Sequence, residues 1–249
     1  MDKTIQNGTI LTREQIRALP LLENPKPLRI GFVKLGSLQY ISHLDLQRTF
    51  GRVIARSGLP VWYTKGFNPH LKLVFATPLA VGVQSICEYL DIKLERDVSP
   101  ADFVATINAQ LTDELRVIEA YYPRSDFSAI TSADYVFEIK TTGASLELVK
   151  EIERVLTTSP LNITKKSKSG DRELDLVPLI SNLRVEFSES DRIIRMSATL
   201  PAGSTESLNP ELIISALRDR GMILNGSLAE EWHTVMKLRL LNAAGEEFR

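Results

Sequence analysis

Apolar and polar residues alternate with two different periods along this chain, and the order in which the periods change predicts its elements. Leu28 to Lys34 mixes β-forming side chains with basic ones, Gly36 and Ser37 supply a turn, and Leu38 to Ile41 reads as extended again. From Ser42 the spacing becomes helical: Leu46, Phe50, Val53, Ile54 and Ser57 fall on one face. Ser42 suits the N-cap, with Asp45 three residues on, and Gly58 and Pro60 stop the run. Val61 to Tyr63 predicts a short strand, Lys65 to Pro69 carries loop chemistry, and Leu71 to Phe75 is extended up to Pro78. Glu88 to Leu94 alternates as a half-buried strand does. Ser99 and Pro100 open a second helix running to Gln110, and Leu115 to Tyr121 forms a closing strand. The order is β-α-β-β-α-β.

The second half repeats that order without residue-level identity to the first. Tyr135 to Lys140 reads as strand, Leu146 to Leu156 as helix, Leu161 to Lys165 as strand, and Lys166 to Arg172 as a polar loop. A hairpin follows, with Leu183 to Phe187 and Ile193 to Leu200 flanking Ser188 to Asp191. Pro210 to Arg220 is helical up to Gly221, and Val235 to Leu240 closes the unit. These patterns predict an α+β chain of two ferredoxin-like domains in tandem, at residues 28–125 and 134–249. Residues 1–27 read as an N-terminal extension in which Thr12 and Gln15 have capping-box spacing and Pro25 and Pro27 break the chain.

Composition narrows the class. At 249 residues the chain is long enough for one large domain or two small ones, and 43 % hydrophobic with 24 % charged residues is ordinary for a folded globular protein. The N-terminus has no basic cluster followed by an apolar core. The most apolar stretch, Leu71 to Val83, is interrupted by Lys72, Thr77 and Pro78, so neither secretion nor membrane spanning is expected. A single cysteine, Cys87, can form no internal disulfide, cysteine zinc site or iron–sulfur cluster within the chain, and the expected compartment is the reducing cytoplasm.

The formal net charge of −1 argues at first sight against a polyanionic ligand. Its distribution reverses that inference. Between Pro25 and Phe75 stand Lys26, Arg29, Lys34, Arg48, Arg52, Arg56, Lys65 and Lys72 against Asp45 alone, a local charge of about +7 that leaves about −8 for the remainder. Arg48, Arg52 and Arg56, four apart, line one face of the first long helix, and no acidic residue of that helix is placed to neutralise the row. Such a row is either a solvated helix face or a footprint for phosphates. Lys34, Lys65, His70 and Lys72 would reinforce the footprint, and Tyr40, Trp62, Tyr63 and Phe67 are either base-stacking rings or core.

Two histidines are candidates for chemistry. His43 sits at a helix start, where free backbone N–H groups favour anions; it is either a phosphate contact or general acid–base oriented by Asp45, or a surface residue beside a Ser42–Asp45 cap. His70 follows Gly66-Phe67-Asn68-Pro69, where Asn68 and His70 either read a ligand or belong to a turn in which Asn68 bonds its own backbone. No paired histidine or cysteine spacing supports a metal site, and Pro78 to Gly82 lacks the phosphate-loop and dinucleotide patterns.

Lys34-Leu35-Gly36, Tyr40 through Arg48, Gly66-Phe67-Asn68-Pro69-His70, Pro78-Leu79 through Gly82, Ser85 and Glu88-Tyr89-Leu90-Asp91 together resemble the radical SAM-linked protein family, a bacterial domain of unknown function. The resemblance is strong over Leu28 to Leu94 and fainter in the second half, chiefly at Asp175 to Ile180; Leu71-Lys72-Leu73 is looser than the family's pattern. It implies a protein encoded beside, or fused to, a radical SAM enzyme, often near genes for RNA processing and ribosomal proteins, and it implies no established reaction. The expectation is an accessory module that holds RNA, such as tRNA or rRNA, while the partner carries the iron–sulfur cluster and S-adenosylmethionine and no cofactor resides in this chain. The alternatives are an RNA-processing enzyme of endoribonuclease or pseudouridine-synthase type using His43 and Asp45, and a protein-only adaptor whose arginines meet an acidic partner.

Overall fold

Thr12 caps the first helix, α1 (Arg13–Ala18), through a complete capping box with Gln15, and Ile16 from that turn is buried in the core. The computed structural model describes residues 8–158, 160–165, 170, 172–226 and 230–249. It divides into two compact units, one up to Phe127 together with Arg249, the other Ser128–Phe248.

In the first unit α1 leads directly into β1 (Leu21–Lys34), so the expected break at Pro25 and Pro27 is absent and residues 8–27 are built into the fold. The prolines are tolerated because β1 pairs with its second neighbour only from Arg29 onward, and a register shift lies between Leu21 and Lys26; one side of the strand is an edge where no N–H is needed. Gly36–Tyr40 is a 3₁₀ turn rather than the expected turn and strand, with Gly36 at φ +55°. Helix α2 (His43–Ser57) ends at Gly58 in the left-handed conformation. The strands β2 (Val74–Phe75), β3 (Val83–Arg96) and β4 (Leu115–Tyr121) and helix α3 (Pro100–Asn108), capped by Ser99, complete the unit. The strand order is β4-β1-β3-β2, antiparallel throughout. Leu28, Ile30 and Phe32 of β1 share a core with Leu46, Phe50, Val53 and Ile54 of α2 and Phe103, Val104 and Ile107 of α3.

The second unit contains β5 (Ile130–Lys140), α4 (Leu146–Thr157), β6 (Asn162–Lys165), β7 (Arg172–Asp175), β8 (Ser181–Ser188), β9 (Ile193–Pro201), α5 (Glu211–Asp219) and β10 (Trp232–Asn242). Its main sheet runs β10-β5-β9-β8, again antiparallel. The segment expected as a sheet strand at Leu161 to Lys165 instead pairs with β7 in a separate ribbon. Asp175 holds that ribbon at its base, accepting from the backbone N–H groups of Leu161 and Val177 at 2.8 and 3.1 Å. The polar loop expected at Lys166 to Arg172 falls largely outside the described residues, and Arg172 itself belongs to β7. The chain is thus α+β, with the same strand order in each unit.

Candidate nucleic-acid interface

Helix α2 buries Leu46, Phe50, Val53, Ile54 and Ser57 and exposes Arg48, Arg52 and Arg56 on the opposite face. The three guanidinium groups differ in surroundings. Arg48 lies 3.3 Å from Asp45 in an exposed ion pair, which corrects the expectation that no acid of the helix relieves the row. Arg56 reaches the carbonyl of Gln110 at 3.5 Å, while its own carbonyl accepts from Arg13 at 3.1 Å. Among the described residues Arg52 makes no ion pair.

Asp45 is committed to the helix start. Ser42 Oγ donates to its carboxylate at 2.7 Å and accepts from its backbone N–H at 3.2 Å. These bonds, with the Ser42 hydroxyl contributing most and Arg48 after it, hold the Asp45 carboxyl below its ordinary range. Its orienting role toward His43 is therefore corrected. His43 is exposed, with its ring edge-on to Phe75 at 4.9 Å between centroids and an interplanar angle of 76°.

Lys34 is also corrected as a surface contact. It is 1 % exposed, and its ammonium donates to the carbonyls of Gln39 and Ile41 at 3.2 and 3.5 Å, fastening the 3₁₀ turn onto β1. Arg29 is likewise spent internally: 1 % exposed, it is bound by both carboxylate oxygens of Asp91 and lies under the Phe127 ring. Of the eight cations between Pro25 and Phe75, the six others remain at the surface.

Residues 61–71 form a hairpin that meets β3 at Lys93 and Leu94. Val61 bridges to Leu94, the N–H of Trp62 donates to Lys93 at 2.8 Å, and Tyr63 bridges to Leu71. Thr64 and His70 close its loop, since the Thr64 N–H donates to the His70 carbonyl at 2.9 Å and the His70 N–H to Thr64 Oγ1 at 3.1 Å. His70 Nδ1 stands 3.2 Å from the carbonyl of Asn68 and 3.0 Å from Thr64 Oγ1. Asn68 thus contributes its backbone to the loop, and its side chain stays exposed with Lys65 and Lys72. At the tip, beside Gly66 at φ +137°, Phe67 has a relative exposure of 113 %. Tyr40 and Tyr63 are also exposed, whereas Trp62 lies beneath Lys93, 5.7 Å from ammonium to ring centroid.

Helix and hairpin are neighbours. A Cβ added to Gly51 would meet only Leu71 Cδ1, at 4.0 Å, so the return side of the hairpin runs beside the side of α2 that carries Gly51. The structure therefore gathers Arg48, Arg52, Lys65, Phe67 and Lys72 on adjacent elements, and leaves out Lys34. One signal legible in the sequence identifies this region directly: from Leu46 to Cys87 there is no Asp or Glu. His233, in the second unit, pairs with Glu211 at 2.9 Å. Among the described residues no group of three or more His, Cys, Asp or Glu side chains is arranged to hold a metal ion, and no helix is long and apolar enough to cross a membrane.

Comparison with solved structures gives distant likenesses. A chain of a Cbf5-Nop10-Gar1 complex is 13 % identical with a TM-score of 0.42, over 84 % of this chain and 48 % of that one. A chain of the archaeal box H/ACA sRNP Nop10-Cbf5 complex is 14 % identical with a TM-score of 0.39, over 84 % and 47 %. DyPB from Rhodococcus jostii RHA1 is 12 % identical with a TM-score of 0.19, over 80 % and 85 %. This chain spans about half the length of the first two. No curated protein matches. A family model does match, over residues 27–210, and the chain belongs to that family, described as an uncharacterized protein conserved in bacteria, DUF2344.

Proposed function

We propose that the first unit is an RNA-binding module that presents its RNA to a radical SAM enzyme. The observation that carries the reading is the acid-free stretch from Leu46 to Cys87, which carries exposed Arg48, Arg52 and Arg56 on α2 and exposed Lys65 and Lys72 on the hairpin that meets α2 at Gly51. Cations gathered without interleaved carboxylates repel one another by a few tenths of a kcal/mol per helical pair. A polyanion turns that cost into binding energy by releasing its condensed counterions. Ordinary solvated helix faces relieve the repulsion with acidic residues; among the described residues only Arg48 of this row is so relieved, by Asp45.

The partner class comes from the resemblance to the radical SAM-linked family. The iron–sulfur cluster and S-adenosylmethionine belong to that partner, which performs the chemistry on an RNA of the tRNA or rRNA class. Cys87, buried and single in these 249 residues, has no part in holding the cluster. We read both units as ferredoxin-like, because each places a β-α-β-β-α-β core in the order of its fourth, first, third and second strands.

The test is binding of the full chain to total cellular RNA at two salt concentrations, for the native protein and for a variant with Arg48, Arg52 and Arg56 all replaced by Glu. Expected are salt-weakened binding by the native chain and its loss in the variant. Equal binding by both, or none by the native chain, would refute the reading.

A further inference from the structure

The RNA face also carries a feature that selects among RNA structures, and we propose that Phe67 stacks on an unpaired nucleobase, so that the ligand of this face is a single-stranded segment and not a duplex. This step rests on the RNA-binding reading of the same face. Phe67 is the most exposed of the large apolar residues in the first unit, at 113 %, and it touches none of the core that buries Phe32, Phe50 and Phe103. Exposing a phenyl ring in water is unfavourable, and a sequence that places one at a loop tip gains nothing for the fold.

The loop that displays the ring is held. Thr64 and His70 exchange two backbone-involving hydrogen bonds across its base, and His70 Nδ1 is fixed by the Asn68 carbonyl within it. Such a base lets the ring be presented with little ordering cost on binding. The neighbours of Phe67 match a nucleotide: Lys65 offers an ammonium to a phosphate, the Asn68 amide can donate and accept, and the exposed His70 imidazole can donate to or accept from a 2′-hydroxyl or a base edge.

A duplex cannot use this arrangement. In A-form RNA the bases are stacked inside the helix, the major groove is too narrow for side chains and the minor groove offers hydroxyls and base edges rather than ring faces. An unpaired base presents its whole π-face, and stacking on an aromatic side chain is tolerant of which base it is. Charge favours a nucleic acid over a protein partner, since Lys65 and Lys72 on the same hairpin are exposed and no Asp or Glu lies between Leu46 and Cys87.

The experiment compares the full chain binding two probes of about 12 nucleotides, a single strand carrying one fluorescent adenine analogue and the same strand in a perfect duplex. The native chain should bind the single strand more tightly and quench its fluorescence. Phe67→Ala should lose about tenfold in single-strand affinity and most of the quenching, Phe67→Trp should restore both, and duplex affinity should not change in either variant. Equal affinity of the native chain for the two probes, or unchanged single-strand binding and quenching in Phe67→Ala, would overturn the stacking role while leaving the basic face intact. Absence of binding to both probes, with no response to the arginine substitutions, would instead overturn the RNA reading itself. Capture of a protein partner that is lost in Phe67→Ala, with no RNA effect, would also overturn it.

Discussion

Arg29 and Asp91 are joined by two charge-assisted hydrogen bonds, Nε to Oδ1 at 2.7 Å and Nη2 to Oδ2 at 2.8 Å, across the β1–β3 pair. The guanidinium is buried while the carboxylate keeps some solvent contact. Removing the acid strands a buried cation, so Asp91→Ala should cost about 3 kcal/mol of stability in denaturant unfolding. Because Arg29 is no part of the exposed footprint, RNA affinity of the folded variant should be unchanged. An unaltered unfolding midpoint would show that the pair does not hold the sheet.

Gly58 ends α2 at φ +73°, and a Cβ there would come within 2.9 Å of Arg13 Cγ. Gly58→Ala should therefore destabilise the chain by about 1–2 kcal/mol, with strain in the left-handed backbone contributing more than the movable Arg13 side chain. Thermal unfolding of the variant reads this directly, and a neutral result would mean that the helix end relaxes.

In the second unit the Glu231 carboxylate accepts from the Thr142 N–H at 2.6 Å, the Thr141 hydroxyl at 2.9 Å and the Gly226 N–H. Those bonds, the Thr142 N–H above all, pull its pKa down from 4.5 to about 2. The folded value lies below the unfolded one, so the stabilisation is fully present above pH 4.5 and is lost as the pH falls toward about 2. Glu231→Gln should lower stability at neutral pH and flatten its decline through that window. A variant whose acid profile superimposes on the native one would contradict the assignment.

Purified chain incubated with labelled RNA should yield no cleavage products, because Asp45 is bonded to Ser42 and Arg48 and does not orient His43. His43→Ala should leave RNA affinity little changed. Cleavage that disappears in His43→Ala would move the chain into the enzyme class.

Much of the fold was legible in periodicity. Leu115 to Tyr121 is strand β4 to the residue, and Ser42, Ser99 and Gly58 delimit their helices as their side chains and φ preferences require. Failures came where a local signal was overruled from a distance. Pro25 and Pro27 spell a break, yet an edge position needs no N–H, and Leu161 to Lys165 has strand propensity but finds its partner in β7. At the site, charge spacing located the arginine row, but sequence alone could not separate surface cations from buried ones. Lys34 and Arg29 look like Lys65 and Arg52 until the carbonyls of Gln39 and Ile41 and the carboxylate of Asp91 are placed beside them. Likewise Phe67, Tyr40 and Tyr63 share with Trp62 the same choice between stacking ring and core, and only their placement shows that Phe67 projects furthest.

The most direct measurement of the central claim is the salt dependence of RNA affinity in the native chain and in Arg52→Ala, one of the two arginines of the row with no ion pair among the described residues. If α2 contacts phosphates, log K falls linearly with log salt and the substitution reduces the slope by about 1, with a smaller change for Arg48→Ala, whose charge is already shared with Asp45. A slope unaltered by Arg52→Ala, or an affinity indifferent to salt, would contradict the account.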